Sequence, residues 1–259
     1  MVDVKPRDPL TPDHHAVVSG QGSGVSGPVK GVLFVCGTPI GNLEDVSLRL
    51  LRVLREVHLV AAEDTRITRK LLSHYDIHVP LASYHPHSSP QRTAELLRRL
   101  RAGENIALVS SAGMPGISDP GSALVRQALE EGIQVIGIPG PCAAVVALAI
   151  SGFNGQRFSF LGFPPRKPGE QRRFLQSVAE RPETLVFYES PYRVRTLLEN
   201  AQAVFGDRRC AVVRELTKKF EETIVGPLSE VIAEIGKRKV LGEVTIVIEG
   251  STSRPSQSV

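Results

Sequence analysis

The feature that most constrains this chain is an alternation of short apolar segments with longer amphipathic ones, beginning at residue 31. Apolar runs of four residues are too short for buried helices and are typical of strands buried on both faces. Strands are predicted at 32–35, 59–62, 106–109 and 135–138. Helices are predicted from an Asp45 cap through Val57, through Leu71 and Leu72, and at 91–101, 121–131 and 141–150, the last as a buried helix. This alternation predicts a mostly parallel sheet covered by helices.

Residues 151–155, which are rich in Gly, Ser and Asn, interrupt the alternation with a turn-rich break. We therefore predict an N-terminal α/β domain at 30–150 and a C-terminal α/β domain at 155–250. Hairpin-like pairs in the second half predict a mixed sheet there. Its strands are predicted at 158–160, 184–188, 210–213, 223–225 and 244–248, and its helices after residue 168, at 191–205 and at 228–235. Residues 1–29 are predicted to be a disordered leader and 251–259 a flexible tail.

Several classes of protein are disfavoured. Gly22, Gly24 and Gly27 match the GxGxxG pattern, but they precede the first strand, whereas the dinucleotide fingerprint follows one. The chain has no GxxxxGK[ST] phosphate loop, no signal pattern and no apolar run of about 18 residues. Its three separated cysteines indicate a reducing compartment, so we expect a cytoplasmic protein. The net charge of +4 favours an anionic partner such as RNA only mildly, since a solvated basic surface explains it as well.

Four unusual segments follow the predicted strands of the first half, at 37–42, 63–66, 110–121 and 139–143. Three are rich in Gly and Pro, and the other is charged. Each alone is compatible with ordinary turn chemistry. Because ligands of open α/β sheets bind beyond the carboxyl ends of the strands, the four together predict a binding crevice.

The adjacent carboxylates Glu63 and Asp64 leave two interpretations open. They can act as a general base or bind ribose hydroxyls or a metal. Alternatively, Asp64 or Thr65 caps the following helix, with Glu63 near the positive end of its dipole. His85 and His87 have the spacing of a metal pair, but no second ligand cluster accompanies them, which favours a surface loop.

Basic residues cluster at several places, and solvated helix faces explain most of them. Arg166 and Lys167 follow a Gly- and Pro-containing loop, and Arg193 and Arg195 open a helix directly after a strand. These four are the better candidates for contacts with RNA phosphates.

Seven motifs, in order, resemble the ribosomal RNA methyltransferases of the tetrapyrrole methylase superfamily, from about residue 31 to 250. The motifs are Gly37-Thr38-Pro39-Ile40-Gly41-Asn42-Leu43, Ala62-Glu63-Asp64-Thr65-Arg66, Pro115-Gly116-Ile117-Ser118-Asp119-Pro120-Gly121, Pro139-Gly140-Pro141-Cys142-Ala143, Phe187-Tyr188-Glu189-Ser190-Pro191, Arg214-Glu215-Leu216-Thr217-Lys218 and Gly242-Glu243. The resemblance implies two α/β domains with a ligand cleft between them, S-adenosylmethionine as methyl donor, and a homodimer. It also implies 2′-O-methylation of a cytidine in the decoding region of 16S rRNA, in the small ribosomal subunit.

The resemblance further implies the residues that contact the donor. They are Thr38, Pro39, Ile40, Gly113, Met114, Pro115, Ile117, Cys142 and Ala143, with Tyr188 and Leu216 on the far wall. Where the family usually reads Ser-Asp-Ala-Gly-Thr-Pro, this chain has Ser111 and Met114 in place of the carboxylate and the hydroxyl. We expect these departures to weaken donor binding or to alter substrate choice. The family also often carries a short helical tail; this chain ends at Val259, so we expect part of the RNA-binding surface to differ.

Methyl transfer from a sulfonium is an in-line displacement that needs neither a metal nor a covalent intermediate. A general base would assist because the ribose hydroxyl is weakly acidic. The sequence hypothesis assigns the base to Asp64 or Glu63 and a phosphate contact to Arg66. Three alternatives stay open: a tetrapyrrole methyltransferase with the same fold, a non-catalytic RNA- or ribosome-binding protein, and a dehydrogenase, which lacks its fingerprint in the right place.

Overall fold

The first half of the chain folds into a five-stranded sheet, all of whose neighbouring strands are parallel. The computed structural model describes residues 29–85 and 88–251. The strands, in the order β3-β2-β4-β1-β5, are β1 Val32–Cys36, β2 Leu59–Ala62, β3 Leu81–Ser83, β4 Ile106–Val109 and β5 Gln134–Ile138. The helices are α1 Leu48–Glu56, α2 Thr65–His74, α3 Pro90–Arg101, α4 Ser122–Glu130 and α5 Ala143–Ser151. The predicted parallel sheet is thus confirmed.

Helices cover both faces of this sheet. Successive strand residues point to opposite sides, and both sides carry apolar side chains that need to be buried. Helices α1 and α2 pack on one face, where Leu54 and Leu72 meet Val60. Helices α3 and α4 pack on the other face. Leu96 and Leu124 lie there in one cluster with Leu33 and Ile106, whose side chains point to that face. Burial of both faces explains why the strands read as unbroken apolar runs.

Three local features differ from the sequence prediction. Strand β3 was not predicted, because its three residues are only partly buried at the edge of the sheet. Helix α1 is capped by Ser47, whose side chain accepts a hydrogen bond from the backbone of Leu50, while Asp45 lies in a 3-10 turn. Helix α5 was predicted to be buried, but only one of its faces is, and Val145 and Ile150 are 50% and 44% exposed.

The second half forms a mixed five-stranded sheet, as predicted, in the order β6-β7-β10-β8-β9. Strands β6 and β7 are parallel, and the remaining neighbours are antiparallel. The strands are β6 Phe158–Phe160, β7 Thr184–Glu189, β8 Arg209–Arg214, β9 Glu222–Pro227 and β10 Val244–Ile248. The helices α6 Pro168–Val178, α7 Val194–Phe205 and α8 Leu228–Gly236 cover one face.

The other face of the second sheet is covered by α5, which follows the last strand of the first sheet. Ala144, Ala147 and Leu148 pack there against Val186 and Val247. The core therefore runs continuously from one half into the other, and the fold class of two α/β halves is confirmed. The domain limits at 30–150 and 155–250 stay a prediction. The leader, apart from its last residue, and the tail, apart from Ser251, lie outside the described residues, as does His87. Within the described ranges no helix is long and apolar enough to cross a membrane.

Candidate functional site

A cavity of about 370 Å³ lies between the two halves, at the carboxyl ends of β1, β2, β4 and β5. The first half contributes loop residues and the start of α5, and the second half contributes residues from the ends of its strands. The walls are formed by Ile40, Glu63, Ser111, Ala112, Gly113, Met114, Ile117, Ser118, Asp119, Cys142 and Ala143 on one side, and by Phe163, Tyr188, Glu189, Ser190, Pro191, Val213, Leu216, Gly242, Glu243, Val244 and Thr245 on the other. This position is where an open α/β sheet binds ligands.

Backbone contacts hold the loops of the first half together. The N–H of Thr38 donates to the carbonyl of Gly113 at 3.0 Å, and the N–H of Gly113 donates back at 3.1 Å. Gly37 and Gly140 touch through their main chains, so that a Cβ on Gly140 would lie 2.5 Å from the Gly37 carbonyl oxygen. Only glycine permits this approach, which explains the residue type at both positions.

Of the eleven residues predicted to contact the donor, eight line the cavity: Ile40, Gly113, Met114, Ile117, Cys142, Ala143, Tyr188 and Leu216. The other three are not among the lining residues. Thr38 is buried by its bridge to Gly113, Pro39 connects Thr38 with Ile40, and Pro115 is buried below the loop. The residues at the two family departures, Ser111 and Met114, both line the cavity.

Left-handed backbone conformations concentrate at the cavity. Ser118, Glu215 and Thr217 have φ values of 60°, 51° and 65°, which L-residues rarely adopt. Glu215 and Thr217 flank Leu216, whose side chain forms part of the cavity wall. The Lys218 ammonium holds this turn by hydrogen bonds to Glu215 at 3.0 Å and to Glu243 at 2.9 Å. Strain stored in this way is typical of a functional site.

Aromatic side chains close the side of the cavity opposite the loops. The hydroxyl of Tyr188 accepts a hydrogen bond from the backbone of Ala144 at 3.1 Å, which ties β7 to the start of α5. Burial raises the pKa of Tyr188 well above its usual value. Phe163 lies 5.6 Å from the Tyr188 ring, centroid to centroid, yet is 57% exposed. A partly exposed aromatic ring at a cavity wall can stack on a planar ligand.

The charged side chains that line the cavity are all acidic. Glu63, Asp119, Glu189 and Glu243 lie on its walls, and none of the described lining residues is Lys, Arg or His. Burial, and secondly the charge of Glu63, raise the pKa of Asp119 to about 6. Asp119, Glu189 and Glu243 stand in three of the seven motifs, but the resemblance implies no role for these three side chains. Their proximity arises from the tertiary fold, so only the motifs themselves could have suggested them.

The structure separates the two adjacent carboxylates of the sequence hypothesis. Glu63 lines the cavity, and its Oε2 accepts a hydrogen bond from the Ser111 backbone at 2.9 Å. Asp64 is instead the N-cap of α2, where it accepts from the Arg66 backbone at 2.8 Å. The exposed Arg66 guanidinium also pairs with Asp64 at 2.7 Å, and this hydrogen bonding holds the pKa of Asp64 well below its usual range. Neither Asp64 nor Arg66 is among the residues that line the cavity.

The predicted RNA contacts differ in how their charges are engaged. Arg166 and Lys167 are exposed, three and four residues after Phe163, and Lys167 pairs with Glu170 at 3.2 Å. Arg193 lies 2.6 Å from the buried Glu189 carboxylate, and Arg195 pairs with Glu199 at 2.8 Å. Arg166 and Lys167 therefore present the more accessible cationic surface. Over the described parts of the chain, no group of three or more His, Cys, Asp or Glu side chains is placed to hold a metal ion.

The fold is that of an α/β protein with a cavity between its two sheets. Residues 32–232 match the model of the tetrapyrrole (corrin/porphyrin) methylases, and the chain belongs to this family. It is similar to proteins named ribosomal RNA small subunit methyltransferase I. The relative from Halalkalibacterium halodurans is 46% identical over 86% of this chain and 77% of its own length; the one from Thermotoga maritima is 46% identical over 85% and 99%. The relative from Pseudomonas aeruginosa is 50% identical over 77% and 71%.

Solved structures with the same fold are more distant in sequence. The methyltransferase CobJ superposes with a TM-score of 0.64 at 19% identity, covering 86% of this chain and 96% of that one. Diphthine synthase superposes with a TM-score of 0.61 at 15% identity, covering 84% and 89%. At these identities the likeness concerns the fold alone.

Proposed function

We propose that this protein transfers a methyl group from S-adenosylmethionine to the ribose 2′-hydroxyl of a cytidine in the decoding region of 16S rRNA. The relatives at 43–50% identity, all named for a ribosomal RNA methyltransferase, support the class of substrate. The observation that carries the proposal is the cavity itself, which is apolar along one part and lined by carboxylates along another.

The cavity suits the methyl donor in size and charge. S-adenosylmethionine carries positive charge on its sulfonium and its ammonium and one carboxylate. Glu63 and Asp119 lie on the cavity wall, while Glu189 and Glu243, also lining it, are paired with Arg193 and Lys218. Ile40, Ala143 and Leu216 offer apolar contacts for an adenine ring, and the Gly113 loop offers exposed main chain. We assign donor binding to the eight lining residues named above, with Thr38, Pro39 and Pro115 supporting them. When bound, the donor supplies an electrophilic methyl group.

The protein contributes mainly orientation to such a displacement. Fixing the ribose oxygen in line with the methyl group can lower the barrier by roughly 7–11 kcal/mol. A general base adds about 10²–10⁴-fold. Of the residues that the sequence hypothesis considered as base, Glu63 faces the cavity, whereas Asp64 caps α2 and pairs with Arg66. The phosphate contact proposed for Arg66 would have to compete with that pairing.

The acidic side chains of the cavity also favour an RNA substrate over a tetrapyrrole. Porphyrinoid substrates carry several carboxylates, which Glu63 and Asp119 on the cavity wall would repel. An RNA substrate can place one uncharged nucleoside in the cavity and leave its phosphates outside. The exposed Arg166 and Lys167 are our proposed phosphate contacts there, with Arg193 and Arg195 as weaker candidates because carboxylates already engage them.

Incubation with donor labelled in the methyl group and purified small ribosomal subunits tests the proposal. We expect label in 16S rRNA, in a cytidine whose 3′ linkage resists alkaline cleavage because its 2′-oxygen is methylated. Naked 16S rRNA, tested in parallel, separates free RNA from the assembled subunit as substrate. Methylation of a porphyrinogen instead would support the tetrapyrrole alternative, and binding to subunits without transfer would support the non-catalytic one.

We also propose that the protein is a cytoplasmic homodimer. The apolar outer face of α5 supports association, since Val145 and Ile150 are exposed there. Replacement Ile150→Glu should convert the dimer to a monomer in light scattering, whereas Leu129→Glu, at an exposed position of α4, should leave it dimeric. A dimer that survives Ile150→Glu would place the interface elsewhere.

A further inference from the structure

We propose that Asp119 is the general base that accepts the proton of the attacking 2′-hydroxyl. This inference rests on the proposed function and identifies one residue of that site. Asp119 was part of a motif in the sequence analysis, but no role was assigned to it.

The position of Asp119 places it where the two halves meet. It lies on the loop between β4 and α4, directly after the left-handed Ser118. A Cβ on Gly162, in the second half, would lie 3.3 Å from the Ser118 hydroxyl oxygen, so the loops of the two halves are in contact. Asp119 is half-buried on the cavity wall, and its charge contributes to the raised pKa of Tyr188 on the opposite side.

The other carboxylates near the cavity are already committed to partners. Glu63 accepts the Ser111 N–H at 2.9 Å, and Glu243 accepts from the Lys218 ammonium at 2.9 Å. Glu189 accepts the Ser190 N–H at 2.7 Å and pairs with Arg193 at 2.6 Å. A carboxylate held by a cation or a backbone donor is a weaker base, because hydrogen bonding stabilises its charged form.

Asp119 has surroundings of the opposite kind. Burial disfavours its charge, Glu63 faces it from the end of β2, and Tyr188 faces it from β7 as a neutral phenol. Glu189 and Glu243 also line the cavity, each paired with a cation, and the hydroxyl of Ser110 is the group that favours the ionised form of Asp119. The resulting pKa of about 6 leaves Asp119 ionised at neutral pH and still able to accept a proton, which suits a general base.

The reaction step balances with this assignment. The 2′-oxygen forms a bond to the methyl carbon while the carbon–sulfur bond breaks, and its electron pair remains on sulfur as a neutral thioether. The hydroxyl proton moves to the Asp119 carboxylate and is released to solvent after the product leaves. No oxidant, reductant or metal is required.

The first test compares wild-type protein with Asp119→Asn, which preserves shape but removes the basic oxygen. We expect kcat for small subunits to fall about 10²–10⁴-fold, while the dissociation constant for S-adenosylmethionine, measured by calorimetry, changes far less. Asp76→Asn, on the exposed surface, is the matched control and should be fully active. Transfer by Asp119→Asn within about threefold of the wild-type rate overturns the inference and leaves the proposed function intact. Absence of transfer by the wild type overturns both.

The second test needs no change at Asp119. The kcat/KM of the wild type should fall as pH drops through about 6, because the base must be ionised. Replacement Glu63→Gln removes a charge that raises the Asp119 pKa, so the acid limb should move to lower pH. An acid limb that stays in place in Glu63→Gln would contradict the assignment to Asp119. Loss of transfer at every pH in Glu63→Gln would favour Glu63 as the base instead.

Discussion

The two walls of the cavity are built by different means. The first half presents glycine-rich loops whose main chains approach each other closely, as at Gly37 and Gly140. The second half presents side chains on strand ends and on a strained turn, such as Tyr188, Phe163 and Leu216. A wall of main chain offers fixed donors and acceptors at close range, whereas a wall of side chains can discriminate between ligands. We infer that the first wall mainly holds the methyl donor and the second mainly selects the acceptor.

The largest effect is expected from adding a side chain where the main chains of Gly37 and Gly140 touch in the first wall. In Gly140→Ala the new Cβ meets the Gly37 carbonyl oxygen at 2.5 Å, and a backbone atom cannot rotate away. We expect the affinity for S-adenosylmethionine to fall at least about 100-fold and the free energy of unfolding by roughly 1–3 kcal/mol. Calorimetry and thermal unfolding measure the two effects. Gly137→Ala, whose Cβ would meet nothing within 4 Å, is the matched control, and equal behaviour of both variants would refute the close-contact argument.

A smaller loss of donor affinity is expected from a substitution in the turn that carries Leu216 on the second wall. A Cβ on Gly242 would overlap the Glu215 side chain, which Lys218 holds in place, so Gly242→Ala should displace Leu216. Because a side chain yields more easily than backbone, we expect only about a tenfold loss of donor affinity. Gly206→Ala shares the cost of a positive φ but has open space around its Cβ. If the two variants bind the donor equally well, the turn does not position Leu216.

The smallest effect is expected for Phe163→Ala, which should weaken binding of the acceptor RNA without weakening binding of the donor. Phe163→Ala removes an exposed ring at the cavity wall, and loss of base stacking costs about 1–3 kcal/mol per base. Since the ring is partly solvated, we expect the lower end, about a fivefold rise in KM for small subunits, with donor affinity unchanged. Phe220→Ala, also exposed, is the control. A loss of donor affinity in Phe163→Ala would assign Phe163 to the donor rather than to the acceptor.

The difference between the walls also explains how far the sequence could predict the site. Loops after buried parallel strands are recognisable, because the strands are unbroken apolar runs and their carboxyl ends share an edge. The prediction of a crevice at 110–121 and 139–143 depended on that regularity, whereas the donor contacts of Gly113 and Cys142 were implied by the family resemblance. Asp119 stood in a predicted loop too, yet the sequence alone does not show that folding buries it and brings it near Glu63.

Local competition explains the smaller differences in the fold. Asp45 and Ser47 are both good N-caps, and choosing between them required knowing that residues 43–45 form a 3-10 turn. Likewise Glu63 and Asp64 are indistinguishable by type, but the backbone directs one into the cavity and the other onto α2. Strand β3 carries too few buried residues to produce a strand pattern.

Helix α5 belongs to the first half by sequence and to the second by packing. A cut at residues 151–155 would therefore divide the chain but not the core, because Ala147 and Leu148 would leave with the fragment that lacks their partners Val186 and Val247. Each fragment would expose an apolar surface that the intact protein buries, so the halves should unfold in a single cooperative transition. Any opening of the cavity must then bend the short 139–142 link and carry α5 along with the second sheet. The start of α5 would thus remain beside Tyr188 while the remaining loops withdraw from it.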